Sequence, residues 1–224
     1  MKKTIVKVFG VSVLIFLFCH PNVHAEKKLN FGIKVGYDFA SHWSTGEKAD
    51  DSVIIRSKFG LLAGVMANFR LSNFFRLQPE ILYVQKGSRQ DVTVPESPIG
   101  TIAVIYDLQY LEIPVVLKFY PKKGKGLFQP VLSTGPYFSF LLKSAYSYSN
   151  PFIGNMEFDI EGLKTMDMGF LSGLGIEFHE EKMIFGFHLR YSMGFINLDL
   201  PTGPGAPTVP LRNYSYMFTI ELLY

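Results

Sequence analysis

The segment Asn213-Tyr-Ser-Tyr-Met-Phe-Thr-Ile-Glu-Leu-Leu-Tyr224 decides the fold. Tyr214, Tyr216, Phe218, Ile220, Leu222 and Tyr224 fall on one side of an extended chain. Ser215, Met217, Thr219, Glu221 and Leu223 fall on the other, because a strand alternates its side chains with a period of two. One face is wholly apolar and aromatic. In water a free strand with such a face invites aggregation. A closed barrel in a bilayer removes the edge and gives the apolar face a solvent that suits it.

Working outward from that segment, the N-terminus points to export. Lys2, Lys3 and Lys7 form a basic start, Val8 to Phe18 an apolar stretch, and Val23-His24-Ala25 a small-x-Ala cleavage site. Residues 1–25 therefore read as a signal peptide, and 26–224 as one mature barrel domain. The apolar stretch is too short to cross a hydrocarbon layer of about 30 Å. Cys19, the single cysteine, leaves with the signal, and Phe18 before it does not suit a lipoprotein site. The mature chain then has no thiol or disulfide chemistry. Losing Lys2, Lys3 and Lys7 from the 22 basic residues leaves 19 against 19 acidic ones. The basic balance belongs to the targeting segment, which removes the case for nucleic-acid binding.

The alternation recurs along the chain. Phe31, Ile33, Val35, Tyr37 and Phe39 share a face, with Gly32, Lys34, Gly36 and Asp38 opposite. Phe59 to Phe69 gives a second strand, and Phe75 to Tyr83 a third with Arg76, Gln78 and Glu80 on its polar face. A fourth, running to Tyr120, places Glu112 and Lys118 opposite its apolar side chains. The fifth, Leu127 to about Lys143, carries Pro130 and Pro136, which predict bulges or local breaks. Met166 to Phe178, Met183 to Phe195 and the C-terminal segment complete eight strands. Connections after strands two, four and six are short. Those at 40–58, 87–102, 144–164 and 197–211 are long. Sorted in this way, short and long connections predict an all-β, eight-stranded, antiparallel up-and-down transmembrane barrel with periplasmic turns and extracellular loops. A lipocalin-like barrel would turn its apolar face inward and has no reason to sort its loops.

The pieces FGIKVGYDF, LQPEILYVQKG, YLEIPVVLKFYPK, STGPYFSFLL, GFLSGLGIEF and YMFTIELLY resemble, in order, the strands of the PorT-like outer-membrane β-barrel family. The resemblance spans the mature chain and implies a Gram-negative outer-membrane barrel; it implies no reaction. The closing aromatic strand also resembles the signal read by the barrel-assembly machinery, with Phe218 and Tyr224 as its bearers.

The inward faces collect Lys34, Arg76, Glu80, Glu112, Lys118, Asp167, Glu177, His188, Arg190 and Glu221. A barrel of eight strands is only wide enough for side chains, so these charges are expected to pair as a structural network; a gated narrow pore is the alternative. His188 with Glu177 has the residue types of acid–base catalysis. His188 is mid-strand, however, and no serine sits in a G-x-S-x-G pattern. His42, beside Trp43, is placed near the outer rim, and His179 in a periplasmic turn. No clustered metal-ligand set is visible, and neither a catalytic nor a cofactor site is expected. Tyr37, Trp43, Tyr106, Tyr110, Tyr120, Tyr137, Tyr191, Tyr214 and Tyr224 are assigned to strand ends or the outer wall, largely as interfacial girdles. Tyr146, Phe152, Met156 and Phe158, in the third long connection, are assigned to a lid or a partner surface. The connection Pro201 to Pro210 is expected to be irregular.

The resulting expectation is a monomeric, non-enzymatic structural or interaction protein of the outer membrane, in contact with lipid and lipopolysaccharide and offering its extracellular loops to a protein partner. A narrow channel, an outer-membrane enzyme and a secretion-system accessory barrel are the alternatives. With no further domain expected after Tyr224, peptidoglycan anchoring is not expected.

Overall fold

A computed structural model describes residues 29–44, 53–93, 101–121, 128–150, 154–160, 162–180, 182–201 and 208–224. The segment read as a signal peptide, Phe152, and most of the Pro201–Pro210 connection lie outside the described residues. Ten strands form: β1 (Leu29–Ser44), β2 (Val53–Arg70), β3 (Phe75–Thr93), β4 (Thr101–Phe119), β5 (Phe128–Asn150), β6 (Gly154–Asp159), β7 (Met166–His179), β8 (Ile184–Gly194), β9 (Leu198–Pro201) and β10 (Thr208–Leu223). The order β1-β2-β3-β4-β5-β7-β8-β10, with β10 returning to β1, makes a closed antiparallel barrel of eight strands. β6 pairs with β5 and β9 with β10, beyond the ends of β7 and β8.

Closure rests on the C-terminal segment. Its register against β1 runs from Gly32↔Leu223 to Ser44↔Leu211. The last residue takes part, Phe31 N donating to Tyr224 O at 3.0 Å and Tyr224 N to Phe31 O at 2.8 Å. Outward side chains make a continuous apolar wall, with Phe31, Ile33, Val35, Leu61, Val65, Ile81, Leu174, Phe187, Phe218 and Ile220 all exposed. Only hydrocarbon suits a wall of that extent. Among the described residues no helix is long and apolar enough to cross a membrane; the strands cross it.

The periplasmic turns carry the chemistry of tight connections. Leu71 N and Ser72 N donate to Phe75 O, each at 3.0 Å, while Ser72 Oγ accepts from Phe74 N and Phe75 N. Elsewhere, three expectations are corrected. The four long connections are largely strand: β5 alone has 23 residues, whereas a membrane crossing takes about 9–11. Above the bilayer the outward face meets water, so the apolar half of the alternation disappears while the ladder continues. The Pro201–Pro210 connection likewise begins and ends in a β9–β10 hairpin, with Thr208↔Pro201 and Leu211↔Leu198 paired. Pro130 and Pro136 break nothing, since β5 keeps one register against β7 from Phe128 to Phe140. The irregularity in β5 falls instead opposite Gln109/Tyr110, where Leu142 is the extra residue.

An arginine at Phe187, near the middle of the apolar band, should destabilise the barrel by about 2–4 kcal/mol, while one at Met156, above the band, should be close to neutral. Urea refolding into lipid vesicles measures both; equal costs would contradict a lipid-facing wall at Phe187.

Candidate functional site in the barrel bore

The bore is filled in layers. At the periplasmic end Met66, Ile184 and Leu223 form an apolar floor. Above it lies a charged layer of fully buried side chains. Glu80 accepts from Lys34 Nζ at 2.5 Å and from both Arg190 terminal nitrogens at 2.9 and 3.0 Å. Glu221 lies 2.8 Å from Lys34 Nζ, 2.6 Å from Lys118 Nζ and 3.1 Å from Arg190. Lys118 also donates to Glu177 at 2.7 Å, and Gln78 links Glu80 with Glu221. Three cations meet three carboxylates, so the layer is neutral. Register builds it: Lys34 faces Glu221 across the closing seam, and Gly186 lies opposite both Glu221 and Glu177.

His188 stands in the space that Gly186 leaves. A Cβ at position 186 would lie 2.7 Å from His188 Nε2, and Gly175 makes the corresponding room on the ring's other side. Nε2 is 3.4 Å from Glu221 and 3.6 Å from Glu177, and neither ring nitrogen finds a partner at hydrogen-bonding geometry. Glu177, His188 and Glu221 do bring ligand atoms within 4.8 Å of one another, which corrects the expectation that no such cluster exists. Lys118 Nζ already occupies the point between the two carboxylates. The two carboxylates of the trio are spent on an internal ammonium.

Next come apolar packings of Leu62, Leu82, Val84 and Met217 and of Val116, Tyr137 and Leu171. The outer polar layer beside them is less balanced. Lys86 Nζ reaches Glu112 at 2.5 Å and lies 4.7 Å above the Tyr137 ring, while Asp167 accepts from Asn213 at 3.0 Å. Asp38 has the Ser215 hydroxyl beside it, but neither carboxylate oxygen finds a donor at bonding geometry. Lys86 pairs with Glu112 and has Asp38 and Asp167 within its electrostatic reach. Toward the outer end, Val104, Tyr106, Leu108 and Tyr110 of β4 form a buried apolar cluster with Leu163, Leu198, Leu200 and Leu211.

Of the ten charged residues read as inward, nine are buried in these two layers. Arg76 is half-buried at the periplasmic end, its guanidinium 4.8 Å from the Tyr120 ring and 3.4 Å from His179 Nδ1. Two histidine placements are corrected. His42 belongs to β1 and is buried in the bore, its Nδ1 2.6 Å from Ser88 Oγ. His179 ends β7 and sets Nε2 2.8 Å from Glu177. Tyr106, Tyr110, Tyr120 and Tyr137 are also corrected: they are buried in the bore rather than in a girdle. Asp38, Lys86 and Asn213 were missed as site residues. Lys86 was legible, since the third strand's alternation through Gln78 and Glu80 reaches it in steps of two.

The chain belongs to the outer membrane protein beta-barrel domain family, whose model matches residues 20–200. OprG, an outer membrane protein from Pseudomonas aeruginosa, shares its fold at a TM-score of 0.50, with 16% identity over 91% of this chain and 99% of its own. Neisserial surface protein A aligns at a TM-score of 0.43 and 12% identity, over 85% of this chain and 95% of its own. Ail, the attachment invasion locus protein of Yersinia pestis, aligns at 0.40 and 13%, over 88% and 99%. No curated protein matches the sequence.

Glu221→Gln should cost about 3–5 kcal/mol, because it strips one carboxylate charge from three buried cations. Asp38→Asn should be neutral or stabilising, since it removes a buried charge that has no paired donor. Urea titrations in vesicles distinguish the two. In the same assay Gly186→Ala should cost about 1–3 kcal/mol by overpacking. Combined with His188→Ala it should cost less than the two single changes together, by at least about 1 kcal/mol; strict additivity would mean that the glycine does not make room for the ring.

Proposed function

We propose that this member of the family, resident in the Gram-negative outer membrane, is a non-conducting, non-enzymatic scaffold that presents its extracellular strand extensions to a protein partner. The observation that carries the reading is the packing of the bore, where among the described residues a neutral ion-pair layer, a second polar layer and an apolar cluster follow one another. A narrow channel would need these layers to part, at the cost of uncompensated buried charge. Glu177, one half of the pair with acid–base composition, is committed to Lys118, and among the described residues neither nitrogen of the buried His188 has a hydrogen-bond partner. Within the family we place the chain with the PorT-like barrels, on the QPEILYVQKG and YLEIP segments. We place its cleaved signal at residues 1–25 and its insertion signal at Phe218 and Tyr224. Lipopolysaccharide and lipid surround the wall, and the barrel-assembly machinery handles it during insertion.

Purified protein in planar bilayers should give no steady conductance at neutral pH. Stable, porin-like current steps would replace this reading with a channel.

A further inference from the structure

Above the lipid band the barrel wall is unzipped along one line. β7 pairs with both β5 and β8, but among the described residues β6, which continues the same descent higher up, pairs only with β5, and β9 only with β10. Two strand edges therefore flank a slit on the extracellular side, and they differ in kind. β9 has four residues and ends in Pro201. Lys164 lies along it, donating to Asn197 O at 2.8 Å and pairing with Asp199 at 3.2 Å. A short strand with a proline and a lysine is how proteins blunt an edge. β6 has six residues and neither device.

The open edge of β6 has a defined chemistry. Ile160 N donates to Ser144 O, and the pairs Phe158↔Tyr146 and Met156↔Tyr148 follow in the same register. Antiparallel alternation then turns the backbone N–H and C=O of Asn155, Glu157 and Asp159 away from β5. Among the described residues these groups meet no backbone partner. One face of β6 shows Met156 and Phe158, both exposed, and Phe158 stacks on Tyr146 at 5.5 Å. The neighbouring Tyr146 and Tyr148 on β5 are phenols, so this face carries no charge at neutral pH. The other face shows Glu157 and Asp159, and the Lys143–Glu157 contact, 3.3 Å and exposed on both sides, leaves the acidic character largely unspent.

We propose that β6 is a docking strand: an extended segment of a protein partner, alternating apolar and basic residues, adds to its open edge. The inference rests on the scaffold reading above and names the kind of partner it serves. Main-chain hydrogen bonds would supply affinity and the alternation specificity. The incoming apolar side chains would extend the Tyr146–Phe158 layer, and the basic ones would lie opposite Glu157 and Asp159, where opposite charges stabilise a cross-strand pair. A second copy of β6 fits badly, because self-pairing sets like charges against each other.

The test uses the full mature protein in lipid nanodiscs and a fluorescent heptapeptide alternating valine with lysine. Glu157→Pro deletes an N–H that faces the open edge and leaves the β5 ladder intact, a position where an edge strand accepts proline. It should weaken binding at least tenfold, and Glu157→Gln only a few-fold, with heat-modifiable barrel retained in both. A peptide of the same composition with a central proline, or one with glutamate for lysine, should bind at least tenfold more weakly than the probe. Equal binding by Glu157→Pro and wild type, or equal binding by the proline-interrupted peptide, would overturn the docking strand, since either means that the open edge of β6 does not hold the probe. Absence of peptide binding by a folded, non-conducting barrel would overturn it as well, leaving the scaffold reading in place; that reading fails separately, on conductance.

Discussion

Everything in this molecule depends on one constraint: in hydrocarbon, each backbone N–H and C=O must be paired within the chain, because an unpaired group costs several kcal/mol. A sheet meets that demand only by closing. Here closure is the β1–β10 seam, held by a ladder that runs to the final residue. The same seam carries the interior's chemistry, since Lys34 and Glu221 are cross-strand partners on its inner face. Barrel closure and ion-pair assembly are thus one event. The charged layer forms only when the last strand is in register, and a one-residue slip would turn Glu221 into lipid.

Closure at eight strands then fixes what the bore can be. The width admits side chains and little else, so large residues can occupy it only where smaller ones give way. Gly186 and Gly175 give way to His188, and Gly173 to Arg190. The inner layer is an ionic core in which every charge has an opposite partner, and such a core specifies register more than it adds stability. The outer layer differs. Lys86 pairs with Glu112, while Asp38 and Asp167 lie within its electrostatic reach in the same layer, with an apolar cluster above.

The parts of this fold legible in the sequence are those where lipid imposes a pattern. The wall residues of β1, β7, β8 and β10 could be read as outward because hydrocarbon forces every second side chain to be apolar, and the inward charges followed by subtraction. Where the wall leaves the lipid, that pressure ends, so Gly87–Thr93 and Thr101–Ile102 read as loop although they are strand. Tyrosine misled for a related reason. An amphipathic ring suits the bilayer interface and a polar bore equally well, and only the alternation around Tyr106, Tyr110 and Tyr137 separates the two. The meeting of Glu177, His188 and Glu221 was not legible in any local pattern, because three strands bring it together and two glycines make room for it.

The extracellular extension is where the governing constraint relaxes. Water can satisfy a free strand edge that hydrocarbon cannot, so the wall opens between β6 and β9 at the height where lipid contact ends. What remains there is ordinary edge-strand physics, in which an unpaired ladder is a hazard unless blunted and a recognition surface when left open. Lys164 and Pro201 blunt one side of the slit. The other side keeps its backbone groups, an aromatic face and two acids.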